Sequence, residues 1–530
     1  MTQLTLSARR LFSASLAPVS ASRSLLTVCA LSMAVSGCGG VGAPILPFEP
    51  EEATIANVRG AVKTGFVSCR ELAERYQLLH DELDVKLNAT VTWNDHLLAD
   101  ADKLDKVPLS QRGSFHCVPV MVKDNINVAG FPTTAGVLAL AGGNTPAHAE
   151  SVQRLLTAGA LIVGKSNMPD FALDGTNTKS SITGQTLNPY RATLSVYGSS
   201  GGTASAISAS LGIVGLGTDT LGSLVQPASA TGLVAIRATQ GLVPSSGVLP
   251  LFSQQDVLGP MTRTVEDAAA VLELIVDKAQ EGKGSQNYTS VLKSSGLSGL
   301  KIGFDPALLQ PLATPLLTPS VEVSDLFYKS LSEINQAGAT TRQVSAFGAL
   351  FPSLQASLDA SFQCMPVDFK QSFDSYLASS RPDLSVRRLS DVIATGKFAD
   401  GAKSFLNGAQ AQTDTVATSA ACKTYLAARD AAQRAVVALL DKEGLDLLVY
   451  PAANQPVFPI GTPPSGWFGF QMLSSSTGLP SLSMPMGITQ KNGAPVGLIL
   501  LARPYQEAKL IQAAYALQQQ SRPRQKPTIQ

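Results

Sequence analysis

Apolar residues in this chain fall into short unbroken blocks, and between the blocks they recur every three or four positions. Blocks at Cys117–Val122, Leu161–Val163, Gly212–Leu216, Leu300–Gly303, Leu445–Tyr450 and Val496–Leu501 predict strands buried on both faces. Helical spacing predicts helices over His148–Ala158, Ala204–Leu211, Val265–Val276, Val321–Gln336 and Ala420–Leu440. Thr264-Val265-Glu266-Asp267 opens one of these with a capping box in which Asp replaces Glu. From Glu51 to about His80 the pattern predicts one amphipathic helix. Strands alternating with helices imply an α/β fold, a sheet covered on both faces. Residues 280–299 are polar and glycine-rich and read as a surface loop. Residues 343–420 read as irregular, and their aromatics (Phe347, Phe351, Phe362, Phe369, Phe373, Tyr376) suit pocket walls or a core equally well.

The start of the chain follows another rule. Arg9-Arg10 and Arg23 precede an apolar run from Leu25 to Val35, then Val35-Ser36-Gly37-Cys38. That run is too short to span a bilayer but fits the core of a signal peptide. The ending resembles a lipobox, in which Cys38 is lipidated and becomes the new N-terminus; an ordinary cleavable signal is the alternative. Arg9-Arg10-Leu11-Phe12 also looks like a partial twin-arginine signal. We therefore expect a leader at 1–37, a Gly/Pro-rich tether at 38–50, and one domain over 51–525, held to a membrane only by the lipid. Export leaves Cys69, Cys117, Cys364 and Cys422 in an oxidising compartment, where two disulfides can form in a pairing the sequence does not give.

Composition narrows the function. With 45% hydrophobic and 15% charged residues, the 530-residue chain suits a large compact enzyme. A net charge of +1 without a long basic run argues against a nucleic-acid partner. No cysteine and histidine spacing matches a zinc site. All four histidines lie at or before His148. Gly198-Ser199-Ser200-Gly201-Gly202 fits the G-x-S-x-G elbow with Ser200 at its centre, but that elbow needs a later histidine, and none follows. Gly159-Ala160-Leu161-Ile162-Val163-Gly164-Lys165-Ser166 matches a phosphate loop by letter. Its middle residues read as a buried strand, however, and no helix opens after Ser166, so nucleotide binding is not expected.

One lysine stands apart. Lys123 follows Val118–Val122, so burial should strip its hydration and favour the neutral amine. Ser199 and Ser223 lie on glycine-rich turns, the second in Gly217-Thr218-Asp219-Thr220-Leu221-Gly222-Ser223 after a strand-like run. Successive N–H groups on such a turn can face one oxygen and form an oxyanion hole. A hydroxyl nucleophile activated through a second hydroxyl by lysine fits this set.

These residues resemble the amidase signature family. The likeness runs through Val120-Met121-Val122-Lys123-Asp124-Asn125, Gly164-Lys165-Ser166-Asn167-Met168, Gly198-Ser199-Ser200-Gly201-Gly202, Gly217-Thr218-Asp219, Gly222-Ser223, Gly259-Pro260-Met261 and Gly478-Leu479-Pro480-Ser481. Lys123-Asp124-Asn125-Ile126-Asn127 and Phe252-Ser253-Gln254-Gln255-Asp256 look most like exported bacterial peptide amidases. The resemblance implies one large domain with a central mixed sheet, no cofactor or metal, and a small-molecule or peptide amide as substrate. It implies Lys123 as base, Ser199 as bridge and Ser223 as nucleophile. Backbone N–H groups of Thr220, Leu221, Gly222 and Ser223 would form the hole, with Ser200 and Asp219 in support. The family usually has glycine at Leu221, so a side chain should crowd the turn and narrow its φ/ψ options. Val225 stands where many members carry arginine. Three other readings are an amide, ester or carbamate hydrolase of other specificity in the same family, the family's amide-transferring enzyme component that works on misacylated tRNA, and a catalytically dead amide-binding lipoprotein.

Overall fold

The computed structural model describes residues 48–277, 287–309, 320–345, 347–462 and 472–529. The expected leader and almost all of the expected tether, including Cys38, lie outside these residues. From Phe48 onward the chain forms one compact α/β unit.

Its centre is a sheet of eleven strands: β1 (Thr90–Trp93), β2 (Pro119–Lys123), β3 (Leu161–Ser166), β6 (Val214–Asp219), β7 (Val234–Arg237), β8 (Val257–Thr262), β9 (Lys301–Phe304), β10 (Thr340–Gln343), β11 (Leu447–Pro451), β12 (Ser481–Ile488) and β13 (Pro495–Leu501). Two-residue strands β4 (Lys179–Ser180) and β5 (Gly184–Gln185) form a separate hairpin. The order across the sheet is β1-β3-β2-β6-β8-β7-β12-β13-β11-β9-β10. β2 runs parallel to β3 and β6, whereas β6, β8, β7, β12, β13 and β11 pair antiparallel in succession. The sheet is therefore mixed. All six predicted strands are present, shifted by at most a few residues.

The strands missed by the sequence reading have identifiable reasons. β8 contains Gly259-Pro260, and β12 carries Ser481, Ser483 and Pro485, so neither reads as an apolar block. β1 and β10 are short and polar at the sheet edges. The Glu51–His80 stretch forms two helices, Ile55–Lys63 and Cys69–Leu87, because Gly65 turns between them at φ +71°. Thr54 and Ser68 each open one with a full capping box. At Thr264 only half of the expected box forms. Its side chain caps the Asp267 N–H, whereas Asp267 accepts from Ile55 N at 3.1 Å.

The largest departure is residues 343–420. Instead of irregular chain they hold a 34-residue helix, Phe347–Ser380, followed by helices Leu389–Thr395 and Lys403–Gln410. Pro352 and Pro366 lie inside the long helix and argue for a break when read locally. Packing against helix Ala420–Lys442 outweighs them. Cys364 is joined to Cys422 across these two helices, and Cys69 to Cys117 at the start of β2. Cys69 and Cys117 also meet His116 in the core, but the bonded sulfurs leave no thiolate for a metal. Of the expected 280–299 loop, the described part is anchored, with Tyr288 and Leu297 buried.

Candidate active site

Three chain segments converge at one end of the parallel strands. Val120, Met121 and Val122 of β2 lie beside Val214, Gly215 and Leu216 of β6, which brings Lys123 next to Thr218. Parallel pairing puts the following loops on the same side of the sheet, where α/β proteins build their sites. Helix Gly201–Ser208 packs on both strands and presents the residues just before it, Ser199 and Ser200. The peptide bond between Gly198 and Ser199 is cis.

The small residues make this convergence possible. A Cβ on Gly217 would lie 2.9 Å from Ser200 Oγ and 2.7 Å from Leu224 Cδ2. Any side chain on Gly217 would therefore push Ser200 out of place.

Lys123 is fully buried. Its Nζ lies 2.8 Å from Ser199 Oγ, 2.9 Å from Ser200 Oγ and 2.9 Å from Thr218 Oγ1. Burial pulls the amine down to about 7 from its ordinary 10.5, while the more distant Asp219 and Asp256 work against that. Among the described residues its hydrogen-bond partners are hydroxyls and one carbonyl, and none is a carboxylate. Ser200 Oγ in turn donates to Thr218 O at 3.1 Å, and Asn125 Nδ2 donates to Thr218 Oγ1 at 3.1 Å.

Ser223 follows the turn that leaves β6. It is joined to the cluster through its backbone, its carbonyl accepting from Ser200 N at 3.3 Å. Asp219 folds this turn. One carboxylate oxygen accepts from Gly222 N at 2.9 Å and the other from Leu224 N at 2.8 Å. Behind it Arg237 Nε stands 3.3 Å from Asp219 Oδ1, both side chains fully buried. The Gly222 N–H is thus committed to Asp219, leaving Thr220, Leu221 and Ser223 of the four expected donors. Gly222 itself takes the left-handed conformation, φ +95°. Leu221 does not, so its side chain adds no strain. It packs instead against an apolar cluster that includes Phe252, Phe369, Phe373 and Tyr425.

Several residues that hold the site were not foreseen. Thr220 is held on both sides, its hydroxyl donating to Asp256 at 2.5 Å and its carbonyl accepting from Gln255 Nε2 at 2.6 Å. Burial raises Asp256 to about 6. Lys165, the lysine of the phosphate-loop lookalike, is buried in β3 with its Nζ 3.3 Å from Asp124 Oδ1. Desolvation lowers it to about 8. The signal was available, since Lys165 and Arg237 both close apolar runs just as Lys123 does. Tyr425 carried none, and Thr218 showed only as part of Gly217-Thr218-Asp219.

The amidase family model matches residues 71–511. The chain belongs to the amidase signature family. It is 32% identical to the native peptide amidase from Stenotrophomonas maltophilia, with a TM-score of 0.78 over 91% of this chain and all of that one. The same similarity extends to that peptide amidase in complex with the competitive inhibitor chymostatin. Among curated proteins it is 31% identical to a glutamyl-tRNA(Gln) amidotransferase subunit from Lactiplantibacillus plantarum, over 86% of this chain and 93% of the relative. The corresponding protein of Thermus thermophilus is 32% identical over 87% of this chain and 96% of its own length. The protein is an amidase, an enzyme that acts on amide C–N bonds.

Proposed function

We propose that this amidase hydrolyses carboxylic amides, C-terminal peptide amides among them, through an acyl-enzyme on Ser223. The observation that carries the reading is Lys123, buried, its ammonium form destabilised and its nitrogen 2.8 Å from Ser199 Oγ. A neutral amine has two hydrogens and one lone pair. Ser200 Oγ donates its own hydrogen to Thr218 O, so it accepts from Lys123. Thr218 Oγ1 takes the second lysine hydrogen. The lone pair is then left for the Ser199 hydroxyl.

Lys123 accepts the Ser199 proton as Ser199 takes one from Ser223, and Ser223 Oγ attacks the amide carbonyl. The oxyanion is held by backbone N–H groups of the 220–223 turn. Ser199 returns a proton to the departing amine, and water cleaves the ester by the same route. The resident residues suffice for these steps.

Similarity to peptide amidase at 32% identity supports the substrate class. The similarity to amidotransferase subunits supports a second reading, ammonia release from glutamine for a partner protein. Val225, where many members carry arginine, costs the first reading little. Ammonia release from the isolated chain separates them. Turnover of peptide amides exceeding that of free glutamine, abolished by Ser223→Ala, supports hydrolysis. Activity confined to glutamine, or appearing only with added partner proteins, overturns it.

A further inference from the structure

The bonds beneath the oxyanion turn carry a further step, which rests on the reading of Ser223 as nucleophile. Gln255 is fully buried. Its Nε2 donates to Thr220 O at 2.6 Å and its Oε1 accepts from the Tyr425 hydroxyl at 2.8 Å. The amide cannot be reversed, because its oxygen would then face the Thr220 carbonyl oxygen. Arg237 donates to the Gln255 carbonyl at 2.9 Å and fixes the backbone as well.

A trans peptide holds its C=O and N–H in one plane, pointing in opposite directions. The bond from Thr220 to Leu221 is trans, the only cis bond among the described residues being Gly198–Ser199. A donor locked behind Thr220 O therefore sets the direction of the Leu221 N–H, which points away from Gln255. Thr220 is anchored on its other side as well, its hydroxyl donating to Asp256 at 2.5 Å. The next N–H along, that of Gly222, is already taken by Asp219. A carbonyl that accepts a hydrogen bond also polarises its own peptide and strengthens the N–H.

We propose that Gln255, oriented by Tyr425, is a positioning residue that aims the Leu221 N–H at the oxyanion of the tetrahedral intermediate. Both side chains are fully buried. Their effect belongs to the transition state, not to ground-state binding.

The test compares Gln255→Leu and Tyr425→Phe with wild type in amide turnover. It also measures affinity for a peptidyl aldehyde, whose serine hemiacetal places an oxygen in the hole, and for the carboxylic acid product. Loss of an oxyanion donor costs about 100- to 1000-fold in kcat, so a misaimed one should cost about 10- to 100-fold in Gln255→Leu, with KM within about twofold. Aldehyde affinity should fall in step with kcat/KM while product affinity holds. Tyr425→Phe should show the same pattern, smaller. A kcat within about twofold of wild type in Gln255→Leu overturns the proposal. So does a parallel loss of aldehyde and product affinity, which marks general damage. If Gln255→Leu does not fold, an unchanged kcat in Tyr425→Phe overturns it alone. Mapping the aldehyde adduct in wild type keeps the underlying reading separate. An adduct on Ser223 with unaltered variants sinks only the role of Gln255, and an adduct elsewhere sinks the nucleophile.

Discussion

In the proposed relay, Lys123 can serve as base because it has lost water without gaining a carboxylate partner. Had an Asp stood within bonding distance, the ammonium would be retained and the relay would have no base. With the amine near 7, turnover should rise as pH climbs through about 7 and level off above it. Lys123→Ala should lower kcat by several orders of magnitude; a loss of only about tenfold would mean a positioning role. The same group leaves a mark on stability. Between about 7 and 10.5 the unfolded chain holds a proton on this lysine that the folded chain has released. Stability from this site therefore rises with pH across that window, and below it the buried charge weighs in full. Denaturant titrations across the window should show a shallower slope in Lys123→Met, and an unaltered slope would contradict the low value. Lys123 was legible because a lysine closing a buried strand loses its hydration and two serines on glycine-rich turns accompany it. Thr218, Gln255 and Tyr425 were not, since what they do depends on partners far away in sequence.

At the scale of elements, the turn from β6 to Ser223 is the decisive piece. Its geometry is set by the Asp219 carboxylate, the left-handed Gly222 and the Gln255 prop, not by its own sequence alone. Gly222→Ala would force a side chain into φ +95°, at a cost of about 1–2 kcal/mol in stability. Turnover should fall far more than stability, because a shifted turn moves the N–H groups and Ser223 together. Melting and kcat measured on the same sample check this, and retained turnover in a destabilised variant would count against the turn as an oxyanion site. Apolar blocks gave away the buried strands, and helical spacing the surface helices. The long helix Phe347–Ser380 stayed hidden because its two prolines oppose it locally, and only contact with its neighbour overrides them. The expectation that the Leu221 side chain crowds the turn and narrows its φ/ψ options meets a turn whose positive φ falls on Gly222, with Leu221 packed against an apolar cluster. Which residue takes positive φ is decided by the hydrogen bonds of Asp219, not by where glycine usually stands.

For the whole molecule, the parallel β3-β2-β6 segment of the sheet gathers the candidate residues, and the antiparallel run from β6 to β11 extends the sheet beside it. The fold class was legible from the alternation of elements, and the family from motifs spread over most of the chain. Where the enzyme resides is a separate matter, carried only by the N-terminal pattern. If Cys38 is lipidated, wild type expressed in a bacterial host fractionates with membranes, and Cys38→Ser becomes soluble or remains uncleaved. A single acyl chain would hold it only marginally, so stable retention implies more than one. Free wild-type protein with a mature N-terminus elsewhere would remove the anchor and leave the chemistry untouched.

The relay itself stands or falls on the nucleophile. Rapid quenching during turnover of a peptide amide or its ester analogue, followed by mass mapping, should find the acyl group on the peptide that contains Ser223. The same group should be absent in Ser223→Ala and should accumulate more slowly in Lys123→Ala. An acyl group on another residue, or full turnover by Ser223→Ala, would contradict the account.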